Sequence, residues 1–160
     1  MNTLIVYYSM SGNTDWAARA VAGRLGADLL RLEPETAYPD KGFRKFFWGG
    51  KSAVMAETPA LRPYSFAAAQ YTQVILGFPV WAGTFAPPLR SFVKENAAAL
   101  AGMRVSAFAC QSGSGAEKAF AKLEQLLGRP LHARMVLVDP MARPDAASDE
   151  TLQSFCAACI

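Results

Sequence analysis

A three-layer α/β/α domain built on a doubly wound, five-stranded parallel sheet is predicted by this sequence from three observations. Short, continuous apolar runs recur along the chain, segments with helical apolar spacing separate them, and small polar or glycine-bearing loops follow the runs. Strands buried on both faces read as unbroken apolar runs, and each parallel crossover needs a helix to return the chain. With 160 residues, 52% of them hydrophobic and 18% charged, the chain can bury a core without disulfides or a structural metal. One domain over residues 1–160 is expected.

The first run, Leu4 to Tyr8, ends in a Ser/Gly/Asn cluster and reads as a buried strand. The period then changes. Ala17, Ala20, Val21 and Leu25 recur at helical spacing from Thr14 onward, and Gly26 is placed to stop the helix. Further strands are expected at Asp28–Glu33, Val74–Val80, Arg104–Cys110 and Ala133–Val138. Between and after them, Leu89, Phe92, Val93, Ala97 and Leu100 share one helical face, as do Ala116, Ala119, Phe120, Leu123 and Leu127. A last stripe, Leu152, Phe155, Cys156 and Cys159, reads as a C-terminal helix. The long connection from Pro34 to Gln73 is irregular, with a broken helix expected over residues 41–56 and an extended stretch after it.

Charge and composition exclude several function classes. The net charge is +3 and is spread along the chain, so there is no basic tail and no nucleic-acid partner is expected. No apolar run approaches the roughly 18 residues of a membrane span, and no membrane partner is expected. Met1-Asn2-Thr3 leads straight into the first strand without a cationic leader, and three cysteines, an odd number, fit a reducing compartment. A cytoplasmic location is the expectation. Cys156 and Cys159 form a C-x-x-C pair, but both lie on an apolar helical stripe and packing explains them more simply than redox catalysis. His132 is the single histidine and has no ligand cluster around it, so no metal site is expected.

In a doubly wound sheet, ligands sit at the carboxyl ends of the strands beside the topological switch point. The loop after the first strand reads Ser9-Met10-Ser11-Gly12-Asn13-Thr14-Asp15. Its hydroxyls, with the free amides of a helix N-terminus, would make a socket for a phosphate. A plain turn with an N-cap is the alternative. No Lys or Arg lies between Met1 and Trp16, so the G-x-x-x-x-G-K-S/T loop of a nucleoside triphosphate site is absent, and one glycine does not make the G-x-G-x-x-G of a dinucleotide site. A single monophosphate fits better.

The third-strand loop, Gly77-Phe78-Pro79-Val80-Trp81-Ala82-Gly83-Thr84, sets an indole among small residues at the open edge of the sheet. Trp81 there offers a flat face for stacking, or else packs on the following helix. The fourth-strand loop, Cys110-Gln111-Ser112-Gly113-Ser114-Gly115, is small and polar, suited to amide hydrogen bonds with a ring's heteroatoms. A C-x5-R phosphatase would need Arg where Ala116 stands, and the G-x-S-x-G elbow is absent, so phosphoryl and acyl transfer recede. Lys41, Arg44, Lys45, Lys51 and Arg62 face the single acid Glu57 over residues 41–62, as a solvated face or a dock for an anionic partner.

These three loops together resemble the flavodoxin family over essentially the whole chain, in a branch that carries P-V-W-A-G-T followed by A-P-P-L-R. The resemblance implies a flavodoxin-like fold and FMN as cofactor. It assigns the phosphate to Ser9, Ser11, Gly12, Asn13 and Thr14, with Met10 in the same loop. Pro79, Val80, Trp81, Ala82, Gly83 and Thr84 would flank the ring, with Trp81 stacking and Gly83 permitting a turn of the backbone toward a ring nitrogen. Gln111, Ser112, Gly113, Ser114 and Gly115 would line its other side. Electron-shuttling members are strongly acidic and place a Tyr in the fourth-strand loop, whereas this chain is +3 and has Gln, Ser and Gly there. One ring face is then open, or covered by Phe47 or Trp48.

The function expected is electron transfer through FMN, with a redox partner protein or a small-molecule acceptor. The chain would act as a carrier or as an NAD(P)H-dependent reductase of quinone-like acceptors. The alternative from a different class is a non-redox module that binds a phosphorylated small ligand.

Overall fold

The structure is a computed structural model that describes residues 2–38, 55–143 and 146–160, with backbone only at 146 and 147. Strand β1 (Thr3–Tyr7) is buried at all five positions, as its apolar run requires. Helix α1 (Asn13–Leu25) stops at Gly26, which adopts φ 62° and returns its amide to Ala22 O. Strand β2 (Asp28–Arg31) follows, and after a 3₁₀ turn (Ala68–Gln70) come β3 (Gln73–Trp81) and the two-residue β4 (Thr84–Phe85). The chain continues through α2 (Pro87–Glu95), α3 (Ala97–Ala101), β5 (Arg104–Gln111), α4 (Ala116–Leu127), β6 (Arg134–Val138) and α5 (Ala146–Ala158).

The parallel strands run in the order β2-β1-β3-β5-β6, and β4 pairs antiparallel with the end of β3. This is the doubly wound arrangement, with its switch point between β1 and β3. Alternate residues of each strand feed two cores. Leu4, Val6, Leu76, Phe78 and Ala107 pack with Leu89 and Phe92 of α2 and Phe120 and Leu123 of α4. Ile5, Tyr7, Ile75, Phe108 and Cys110 pack with Val21 of α1, with Phe155 and Cys156 of α5 and with Cys159 just beyond its end. Cys156 and Cys159 are thus buried packing residues with free thiols.

Four expectations need correction or limits. Strand β2 ends at Arg31 rather than Glu33, and as an edge strand it is largely exposed instead of buried on both faces. The helical face from Leu89 to Leu100 is split at Asn96, whose φ is −119° and whose Nδ2 donates to Phe92 O at 2.9 Å, closing α2 before α3 begins. The sheet gains β4, because the loop after β3 turns back on itself. Of the helix expected over residues 41–56, residues 41–54 lie outside the described residues, and 55–56 form a turn. The segment beyond makes one isolated bridge, Leu61 to Pro34, and contains the 3₁₀ turn at Ala68–Gln70. It runs beside 33–35, with Arg62 N donating to Glu33 O and Glu35 N to Ala60 O. No described helix is long and apolar enough to cross a membrane.

Gly77 sits where the two cores meet the switch point. It pairs with Tyr7 on one side and Phe108 on the other, and a Cβ there would stand 2.2 Å from Phe108 Cζ. Gly77→Ala must therefore displace a fully buried ring. Urea denaturation should show a loss of about 1–3 kcal/mol; an unchanged midpoint would mean that the strand and ring are not packed as described.

Candidate functional site

The first loop is built around a left-handed residue. Gly12 caps α1 with φ 102°, and having no side chain it takes none of the amide hydrogens of Asn13, Thr14 or Asp15. The buried Ser9 Oγ instead accepts from Gly12 N at 3.2 Å and closes the turn from behind. Asn13 Oδ1 accepts from Met141 N at 3.2 Å, and the Met141 sulfur lies against Gly12, 3.0 Å from where a Cβ would be. The amide-bearing end of the helix therefore faces outward from the sheet edge with partial positive charge.

A charged network holds this loop from outside. Asp15 accepts from Tyr7 OH at 2.5 Å and from Arg19 Nε at 2.9 Å, and it faces Arg31 at 3.5 Å. Arg31 also donates to Ser9 O at 3.1 Å and pairs with Glu33 at 2.9 Å. The Tyr7 hydrogen bond, then Arg19, hold the Asp15 carboxyl below its ordinary range. Burial, reinforced by Asp15, pushes the Tyr7 phenol up to about 12. The loop contains no cation, but the β1–β2 register, with Tyr7 opposite Arg31, brings one beside it.

The second wall comes from the β3–β4 hairpin. Ala82 at φ 50° and Gly83 at φ 71° form its two-residue turn, with both φ values positive as in the hairpin turns that match strand twist. Trp81, just before the turn, meets Tyr38 at 5.1 Å and Tyr8 at 5.6 Å, both nearly perpendicular. These edge-to-face contacts fix the indole. Burial, then neighbouring Tyr38, raise the Tyr8 phenol above its ordinary value.

The third wall is the loop after β5. Gln111 Oε1 accepts from Ala116 N at 3.0 Å and caps α4, while Ser112 Oγ donates to Asp139 Oδ1 at 2.8 Å. Gly115, at φ 108°, lets the loop close on the hairpin: a Cβ there would stand 3.0 Å from Gly83 Cα.

Together the three loops enclose a cavity of about 420 Å³ lined by Met10, Ser11, Asn13, Thr14, Pro79, Val80, Trp81, Ala82, Cys110, Gln111, Ser112, Gly113 and Ser114. The other residues singled out in the sequence shape it without lining it. Ser9 and Gly12 set the first turn, Thr84 is a buried partner of Trp81 in β4, and Gly83 and Gly115 form the contact between hairpin and loop. Cys110 was missed because it lies inside β5, next to its last residue; the neighbouring Gln111 signals its place. Met141, Tyr8 and Tyr38 reach the site only through the fold. Phe47 and Trp48 lie outside the described residues.

Among the described residues, no charged side chain lines the cavity. The one titratable group among the described lining residues is the Cys110 thiol, which burial pushes up to about 12, so at neutral pH it is protonated and no nucleophile. The lining offers hydroxyls, amides and an indole, with no acid–base pair of its own.

A family model described as Flavodoxin matches residues 2–145. The chain belongs to the flavodoxin family. No curated protein matches it. Solved structures share the family fold. A flavoprotein in complex with FMN from Lactobacillus acidophilus is 17% identical, with TM-score 0.74, over 94% of this chain and 97% of its own. A flavodoxin, WrbA-like protein from Agrobacterium tumefaciens is 17% identical, with TM-score 0.65, over 98% and 92%. The two-electron reduced flavodoxin of Megasphaera elsdenii is 16% identical, with TM-score 0.62, over 99% of each chain. Membership makes the cavity, at the switch point of the sheet, the place to look for a flavodoxin's ligand.

The network behind the first loop has a pH signature. Asp15 is depressed in the folded state, so its contribution is present above the ordinary carboxylate range and is lost as pH falls through its lowered value. Asp15→Asn should cost about 1 kcal/mol at pH 7, and the gap to the unaltered chain should close in acid. Denaturation midpoints from pH 7 to pH 2 measure this; a gap that widens in acid would contradict it.

Proposed function

We propose that this chain binds FMN in the cavity and passes electrons, as a carrier or as an NAD(P)H-dependent reductase of quinone-like acceptors. One observation carries the proposal: the cavity joins uncommitted helix amides to an indole, and no described residue of its lining can do acid–base or nucleophilic chemistry. Reactivity then has to come from a bound group, with the protein supplying binding, orientation and electrostatics.

The residues present fit that group. The amides of Asn13, Thr14 and Asp15 and the hydroxyls of Ser11 and Thr14 suit a phosphate ester, since helix-terminal amides favour an anion. Trp81 presents an apolar ring, and Met10, Pro79 and Val80 keep water from the cavity's apolar side. Backbone at the Ala82–Gly83 turn and the Gln111–Ser114 loop is free of bulky side chains and suits the heteroatom edge of a planar ring. When bound, the flavin supplies reversible one- and two-electron chemistry. The exposed residues 112–114 bring no aromatic cover, which keeps that edge within reach of a donor or acceptor. A cytoplasmic location suits the free, buried thiols.

Reconstitution tests the proposal. The purified chain mixed with FMN should turn yellow and quench flavin fluorescence. Trp81→Ala should weaken binding about tenfold, by the roughly 1.4 kcal/mol that such a stack contributes, and restore much of the fluorescence. Equal affinity and quenching in the variant would remove Trp81 from the ring site.

A further inference from the structure

Beside the cavity lies a second groove, of about 780 Å³, between the Ala82–Gly83 turn and the outer face of α4. The two hollows share Ala82, Gln111 and Ser114, and the partition between them includes the glycine backbone where Gly115 approaches Gly83. The groove is basic. Lys118 and Lys122, one helical turn apart, line it exposed to solvent, and neither has an ion-pair partner among the described residues. Its one lining acid, Glu117, faces Arg134 at 3.5 Å. The Lys118 stem lies along the turn, its Cδ 3.6 Å from the Cβ position of Gly83.

We propose that this groove is the docking surface for an acidic electron-transfer protein, whose carboxylates meet Lys118 and Lys122 and whose redox centre comes to rest over the Ala82–Gly83 turn. The proposal rests on the flavin reading for its electron path. Each encounter moves one electron, so that the partner's centre is oxidised by one and the flavin reduced by one, with any proton exchanged with water. A protein suits the groove better than a dinucleotide. A tightly held phosphate calls for several donors converging on it in a concave site, whereas two solvated lysines on an open helix face steer and orient a carboxylate-bearing surface. The wall between groove and cavity carries no bulky side chain at Gly83 or Gly115, which keeps the path between redox centres short.

The test titrates a strongly acidic plant-type [2Fe–2S] ferredoxin, in its oxidised form, into the FMN-loaded chain by calorimetry. One-to-one association is expected at low ionic strength, weakened at least about tenfold as salt rises from roughly 0.02 to 0.3 M. Lys118→Glu with Lys122→Glu should weaken it by a similar factor, Lys94→Glu on α2 should not, and FMN affinity should be the same in all three. No association at low salt, or association indifferent to Lys118 and Lys122, overturns the docking surface. So does NADPH binding that depends on these lysines while the ferredoxin is ignored. The FMN titration separates the two proposals: FMN bound with ferredoxin ignored overturns the docking surface alone, and FMN refused overturns both.

Discussion

The amino end of α1 governs the rest of the site. A helix N-terminus leaves its first amides without partners, and most helices cover them with a Ser, Thr or Asp cap. Here the cap is Gly12 in a left-handed conformation, and the Ser9 hydroxyl is spent on Gly12 itself. The amides that remain point to the carboxyl edge of the sheet, where the switch between β1 and β3 opens a gap. An uncharged loop in that position answers an anion by directed dipoles rather than by a countercharge.

The surrounding layers hold this arrangement in place. Tyr7 and Arg31 anchor Asp15 and the Ser9 carbonyl from the sheet side, and Met141 packs against Gly12 from the β6–α5 connection. Asp139 ties the fourth-strand loop to the same connection through Ser112. On the far wall, Trp81 is clasped by Tyr8 and Tyr38, and the hairpin meets Gly115 backbone to backbone. The cavity is therefore polar at one end and aromatic at the other, with no charged side chain among its described lining residues.

Local pattern revealed most of the frame. Continuous apolar runs gave away β1, β3 and β5, and helical spacing gave away α1, with its stop at Gly26, and α4, since burial and stop signals are both short-range. What escaped depends on long-range placement. The exposure of β2 follows from its edge position in the strand order, and Arg31 reaches the first loop only through pairing register. The β4 hairpin was hidden because its turn begins with Ala82 rather than the Asn or Asp that marks such turns. The loops that line the cavity were legible because each follows a strand, two of them small and polar and the third setting Trp81 among small residues. That Gly83 and Gly115 touch each other instead of the cavity required the folded chain.

The sharpest measurement compares FMN with riboflavin, which share the ring and differ by the phosphate. Followed by quenching of flavin fluorescence in the same buffer, FMN should bind at least about a hundredfold more tightly, the yield of two or more charge-assisted hydrogen bonds at the α1 amides. Equal affinities for the two would contradict the account, because the helix end would then contribute nothing to holding the ligand.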